Sequence, residues 1–333
     1  MDKSILILGA GIYQVPLIRE AQARGFRAVI ASIPGNYPGF ALADRVYDTD
    51  TTDKEAILKI AEADKTAVGM FNGTGFDSIR AVIGAAEELN RPVIIAHAEV
   101  HNVFNDISLV GPAMLAAARA AKVPVCVHLD HGVTVEMCYR ALRLGFTGIM
   151  IDASALPYEE NLAVTRRITE AAHAMGADVE AELGRLATPE AGSAEEGRAP
   201  AQPEDFYTVP AEAKSFCAET GVDALAIAFG TAHGFYKSQP KLDFGVVRDC
   251  AAATGLPLVM HGGSGVSPDG FRQAIAAGIR KINYYSYMSK AGYEAAAQCI
   301  ASGRTKYLHD VEYAAYEAMK EDVKKAIRVF SGE

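Results

Sequence analysis

The chain has 333 residues, enough for one large domain and a smaller appendage; half are apolar and 22% charged, and the mean hydropathy of +0.08 suits a globular protein with a sizeable core. Its 32 basic and 41 acidic residues give a formal net charge of −9, which supplies no basic footprint and argues against nucleic acid or an anionic membrane as a partner. The five cysteines, Cys126, Cys138, Cys217, Cys250 and Cys299, form no CxxC pair and are odd in number, against a disulfide framework or a thiolate zinc cluster.

In chain order the first expected elements are a strand at Ser4–Leu8, a tight turn at Gly9-Ala10-Gly11, a helix at Val15–Arg24, a second strand at Ala28–Ala31 and a third near Arg45–Tyr47. This is a Rossmann-like opening. A dinucleotide fingerprint wants a third glycine at position 14, where Gln14 stands, so a plain strand-to-helix turn is the expectation. A β-α-β fragment of this size is too small to stand alone and is expected to rest on the rest of the chain or on another subunit. Its apolar run Ile5–Leu8 is broken too early for a secretory signal, and no apolar run reaches about 18 residues, so no membrane span and a cytoplasmic address are expected. A helix is expected over Thr51–Asp64, and the fragment is taken to end near residue 60.

From about Ala67 short apolar runs alternate with amphipathic stretches. Strands are expected at Ala67–Phe71, Val93–Ala96, Val125–Leu129, Gly148–Ile151, Asp178–Glu182, Ala224–Ala228, Leu258–His261 and Lys281–Asn283. Between them run helical patterns such as Asp77–Leu89 and Glu159–Met175. Eight strand-plus-helix units over residues 61–333 fit a closed parallel (β/α)8 TIM barrel, with chemistry at the C-terminal strand ends. Gly184–Pro210, long and without periodicity, is a candidate active-site lid.

Those strand ends carry an unusual set of side chains. His131 in HLDHG, His233 in GTAHG and His261 in HGGSG each sit in a small-residue setting at a barrel rim, and three neutral imidazoles with an open position make a catalytic metal site. Asp130 and His131, adjacent at a strand edge, are expected to project in different directions; Asp130 is read as a proton shuttle or as a partner that orients His131. His128 either contacts the site or supports it by packing. Glu180 and Glu182 share a strand face, and Glu182 at the rim either offers a second metal position or hydrogen-bonds a ligating imidazole. Asp152 adds a further carboxylate to that zone. Gly262, Gly263 and Ser264 after the seventh strand, Asn283 after the eighth, and Lys237 can together hold a phosphate.

HLDHG, VEAELG, GTAHG, HGGSG and KIN, in this order, closely resemble the motifs of the class II, metal-dependent fructose-bisphosphate and tagatose-bisphosphate aldolases, over about Ala67 to the C-terminus. The resemblance implies a TIM barrel, zinc or another divalent ion on His131, His233 and His261, a monovalent cation (sodium or potassium) nearby, and a homodimer or homotetramer. It implies that Asp130 handles the C4 hydroxyl proton of a ketose bisphosphate, that Glu182 and Asp152 serve an alternative metal position, and that Gly234, Lys237, Gly263, Ser264, Asn283 and Ser286 hold the phosphate of dihydroxyacetone phosphate. Family members carry a GGxED run after ELG whose acid serves as a second base. Here the run reads Ala187-Thr188-Pro189-Glu190-Ala191, so Glu190 keeps the acid while the glycine pair is lost. Tyr284-Tyr285-Ser286 and Ala96-His97-Ala98-Glu99-Val100-His101 also depart from the family pattern, where the distal half of the substrate is expected. The alternative reading is a non-catalytic phosphosugar-binding or regulatory protein on the same barrel. The opening, with Gly35-Asn36-Tyr37-Pro38-Gly39, resembles the start of the domain that precedes the ATP-grasp fold in carboxylate-amine ligases; the ATP-grasp domain itself is missing, so no ligase activity is implied.

Overall fold

The computed structural model describes residues 3–8, 14–32, 37–48, 65–184, 207–235 and 240–333. The expected helix at 51–64, the Gly9–Gly11 turn, most of the candidate lid, Glu190 and Lys237 lie outside these residues.

The opening forms a three-stranded parallel sheet, β1 (Lys3–Leu8), β2 (Phe26–Ser32) and β3 (Arg45–Asp48), with α1 (Val15–Ala23) between the first two strands. Ile7, Ile18, Ala21, Ala28 and Ile30 give it an apolar cluster of its own. Asp44, just before β3, accepts the Ala28 amide (2.7 Å) and the Gln22 side-chain amide (3.1 Å), which ties β3 back to β2 and α1.

The eight expected barrel strands are all present. They are β4 (Val68–Asn72), β5 (Val93–Ala98), β6 (Val125–Gly132), β7 (Gly148–Ile151), β8 (Asp178–Leu183), β9 (Ala224–Ile227), β10 (Leu258–Met260) and β11 (Ile279–Asn283). Each pairs in parallel with its neighbours in sequence, and β11 returns to β4 to close the barrel. Helices α2 (Phe76–Leu89), α3 (Ile107–Ala120), α4 (Val135–Leu144), α5 (Tyr158–Ala174), α6 (Pro210–Thr220), α7 (Phe244–Thr254) and α8 (Pro268–Ala277) cover the outside, followed by α9 (Ser286–Ala301) and α10 (Leu308–Phe330). Strands buried on both faces have to be apolar throughout, which is why they stood out as runs.

Alternation along the strands sorts the side chains. Outward residues such as Ile95, Val127, Ile149, Val179, Leu225 and Ile282 join the helices in the main core. Val68, Met70, Ile94, Ala96, Cys126, Ala224, Ala226 and Val259 form a separate apolar cluster in the bore. On the same alternation, toward the C-terminal strand ends, the bore becomes polar: Asn72, Asp130, Glu180, Glu182, His261, Lys281 and Asn283 are all buried. At the opposite end α10 returns to the barrel, its Phe330 carbonyl accepting the Ala67 amide (3.0 Å). Four of the five cysteines are buried, Cys299 is half-buried, and all are free. Among the described residues no helix is long and apolar enough to cross a membrane.

Candidate metal and substrate site

The site begins with an irregularity in β6. Simple alternation would send Asp130 and His131 to opposite faces, but here both line one cavity, Asp130 turned to Asn72 and Asn283 and His131 to Asp152 and His261. The register against β7 slips between Leu129 and Gly132, and His131 takes a left-handed φ of 41°, so adjacent side chains both reach the bore. Gly132 makes the bulge possible: a Cβ there would sit 2.6 Å from the Met150 carbonyl oxygen. A second tight approach brings the other imidazoles together. Gly262, at φ +65°, lets the His261 turn pass against the Ala232 backbone, where a Cβ would collide.

His131, His233 and His261 converge, with ligand nitrogens within 4.8 Å of one another. His131 Nε2 lies 2.8 Å from His261 Nδ1, and the His131 and His233 ring centroids are 4.9 Å apart. The far nitrogens of two rings are fixed by carboxylates. His131 Nδ1 donates to Asp152 Oδ2 (2.7 Å), and Asp152 Oδ1 is held by the Ser154 amide (3.1 Å) and hydroxyl (2.7 Å). His261 Nε2 donates to Glu180 Oε1 (3.0 Å). A carboxylate can only accept, so these contacts place the protons on His131 Nδ1 and His261 Nε2. The facing nitrogens then present lone pairs to each other, an arrangement that a cation between them turns from repulsion into attraction.

The electrostatics agree. Burial, reinforced by His131 and His261, lowers the His233 imidazole to about 3, and burial also lowers His261, so both are neutral donors at ordinary pH. Glu182 is buried, with Oε2 3.7 Å from His261 Nδ1 and no hydrogen-bond partner among the described residues. Burial, Asp152 and Glu180 push its carboxyl well above the usual range, the signature of a carboxylate that lacks positive charge. Glu182, His131 and Asp152 form a second group whose ligand atoms also lie within 4.8 Å. The donor set fits a divalent cation.

Asp130 stands beside this cluster. Its Oδ2 accepts from Asn72 Nδ2 (2.8 Å) and its Oδ1 from Asn283 Nδ2 (3.1 Å), an aim that leaves it ionised and fixed. Burial alone would raise its carboxyl, but His131 and His261 where protonated, with Lys281 and the Asn72 hydrogen bond, outweigh that and bring it to about 2.

Three roles escaped the sequence reading. Asn72 aims Asp130, and Glu180 rather than Glu182 orients His261. Lys281, fully buried, donates to both Glu180 oxygens at 2.9 and 2.8 Å. The period-two spacing of Glu180 and Glu182 was the available signal, but it gives a face and not a depth. His128 is buried with Nε2 3.8 Å from Glu180 Oε2, in keeping with a supporting role.

Asp130, His131, His233, Gly234, Gly262, Ser264, Asn283 and Ser286 line one cavity. On its far wall the Tyr285 amide donates to Ser264 Oγ (3.1 Å), and α9 begins at Ser286 with no hydrogen bond from the side chain of its N-cap residue, Tyr285. Gly263 does not belong to this wall. Its amide donates to the Asn283 carbonyl (3.1 Å), so it serves the loop and not an anion, which corrects the expectation from sequence.

A family model for class-II fructose-bisphosphate aldolases matches residues 52–333. A fructose-bisphosphate aldolase of Staphylococcus aureus (strain COL) is 36% identical over 287 residues, 83% of this chain and 96% of that protein. A probable fructose-bisphosphate aldolase of Bacillus subtilis (strain 168) is 36% identical over 280 residues, 82% and 95%. Among solved structures, the YdjI aldolase of Escherichia coli K12 superposes with a TM-score of 0.73 at 31% identity, covering 84% of this chain and 96% of that one. A putative fructose-1,6-biphosphate aldolase from Coccidioides immitis gives 0.74 at 29% identity, covering 84% and 97%.

Proposed function

The chain belongs to the class-II fructose-bisphosphate aldolase family, metal-dependent carbon–carbon lyases that act on phosphorylated sugars, and from that premise we propose that residues 61–333 reversibly cleave a ketose 1-phosphate to dihydroxyacetone phosphate and an aldehyde. The observation that carries this is the three-imidazole cluster set beside a fixed, ionised Asp130 in one cavity.

His131, His233 and His261 would hold the divalent ion, zinc by preference for three neutral imidazoles, with Glu182 and Asp152 offering an alternative position. Such an ion supplies Lewis-acid polarisation of the substrate ketone. The chain does the rest. Asp130 removes the C4 hydroxyl proton, the C3–C4 bond breaks, and the aldehyde leaves with the electron pair remaining on C3 as an enediolate. A proton must then reach C3, and Glu190 is the acid placed by sequence for that transfer. Asn283 steadies Asp130 by donating from Nδ2 to its Oδ1 (3.1 Å). Gly234, Gly262, Ser264, Ser286 and the start of α9 suit the C1 phosphate, with Lys237 as the cation.

The test is a cleavage assay across ketose phosphates with and without chelator, beside elemental analysis. Asp130→Ala is expected to keep its metal and lose about 10²–10⁴-fold in kcat, whereas His131→Ala loses metal. Full turnover by the Asp130 variant would remove it from the mechanism. A metal-loaded protein that binds ketose phosphates and cleaves none would favour the non-catalytic reading.

A further inference from the structure

A second opening adjoins the catalytic cavity. Tyr285 and Ser286 line both, and beyond them an open groove runs between Phe104, Phe235, Tyr293, Lys290 and Glu294. One wall is a single face of α9, since Ser286, Ser289, Lys290, Tyr293 and Glu294 recur at helical spacing. Its aromatic rings stand open: Phe104 is 61%, Phe235 56% and Tyr293 74% exposed. Exposed aromatic groups gathered beside a catalytic cavity mark a place that something covers.

The charges say what that is not. Among the described residues lining either opening, Lys290 is the one ammonium or guanidinium. Its Nζ lies 3.6 Å from Glu294 Oε1 and over the Phe235 ring at 5.6 Å, so it shares the groove with a carboxylate and the pair brings no net positive charge to it. A terminal phosphate carries roughly −1.5 to −2 charges near neutral pH and asks for unpaired cations or amides. Here it would meet Glu294, while the amides at the start of α9 serve the phosphate at the other end of the substrate. Aromatic faces with a compensated ion pair instead suit a neutral, hydroxylated carbon chain, whose C–H faces pack on the rings.

We propose, on the reading that this is a dihydroxyacetone phosphate aldolase, that the groove takes the aldehyde half of the substrate and that this half is an uncharged polyhydroxy chain without a terminal phosphate. Phe104, Tyr293 and Phe235 are then specificity-determining residues and Glu294 excludes the second phosphate.

The experiment runs the metal-loaded full chain in the condensation direction, with dihydroxyacetone phosphate and three aldehydes: glycolaldehyde, erythrose and glyceraldehyde 3-phosphate. The expected kcat/KM for erythrose exceeds that for glyceraldehyde 3-phosphate by at least about tenfold. Phe104→Ala and Tyr293→Ala, both at exposed positions that leave the core intact, are expected to lower the erythrose-to-glycolaldehyde ratio about tenfold, and Glu294→Lys to raise the relative rate with glyceraldehyde 3-phosphate. A wild-type preference for glyceraldehyde 3-phosphate overturns the proposal while leaving the aldolase reading in place. So does an unaltered ratio in both aromatic variants accompanied by a change in sedimentation, which would make the groove a contact between copies of the chain. No condensation with any aldehyde refutes the aldolase reading, and this inference with it.

Discussion

Replacing Lys281 with Met isolates the most buried electrostatic contact of the barrel. Both side chains of the Lys281–Glu180 pair are fully inaccessible, and Lys281 Nζ contacts both carboxylate oxygens, at 2.8 and 2.9 Å. The variant leaves Glu180 as a buried carboxylate supported by His261 Nε2 at 3.0 Å and, more distantly, His128 at 3.8 Å. An uncompensated buried charge of this kind costs about 3–5 kcal/mol. The double variant Glu180→Gln, Lys281→Met removes both charges and keeps an amide oxygen for the His261 proton, so it should recover at least about 2 kcal/mol of that loss. Urea unfolding of the four proteins of the cycle, all in chelator so that cation binding does not enter, reads these differences. Calorimetric cation binding adds a second readout, because an outer partner of a ligating imidazole is worth about 10–100-fold in affinity. A Lys281 variant within about 1 kcal/mol of wild type, or a double variant no more stable than the single, would refute the reasoning.

Two further expectations lie away from the ion. Burial raises the Cys138 and Cys217 thiols to about 12 and Cys250 to about 11, so with Ellman's reagent at pH 8 the native protein should yield one reactive thiol, Cys299, and five after denaturation; two or more fast native thiols would contradict the packing. Asp44 is lowered from 3.8, first by the Ala28 amide and then by Gln22, so its contribution to the β1–β3 sheet is present above pH 3.8 and lost as pH falls through the folded value. Pepsin should therefore cut within residues 3–48 faster as pH drops below 3.8, whereas Asp44→Asn is already cut fast at about pH 4.5; equal rates at the higher pH would refute the role.

The barrel was legible because parallel strands buried on both faces leave apolar runs, and because His131 and His261 each follow such a run by a residue or two, with His233 six residues beyond β9. What stayed hidden depends on depth and on local irregularity. Glu180 and Glu182 look equivalent by spacing, yet one meets Lys281 from a strand 101 residues away while the other faces His131 and Asp152 at the rim. The bulge that lets Asp130 and His131 share the bore leaves no mark in sequence beyond the glycine that follows, and a glycine there reads equally as a strand end. Gly263 failed for a related reason. In a run of glycines composition cannot say which amide the fold has already used, and the Asn283 carbonyl had claimed this one.

The layering of β11 also decides between two aldol chemistries. A lysine at a barrel strand end invites a Schiff-base mechanism, in which a neutral amine attacks the ketone. Lys281 lies two residues below Asn283 on the same strand face, fully buried, with its Nζ held by both oxygens of Glu180 and so turned to that carboxylate rather than to the rim. Asn283, one layer higher, is the residue of this strand that reaches Asp130 and His261. On the proposed reading, polarisation of the ketone comes from the rim, where the three imidazoles converge, and the buried ion pair beneath it holds Glu180 against His261. Borohydride added during turnover with dihydroxyacetone phosphate is expected to leave the mass of the Lys281 peptide unaltered. A reduced substrate adduct on that peptide would transfer the chemistry from the rim to the bore and leave the imidazole cluster without a role in it.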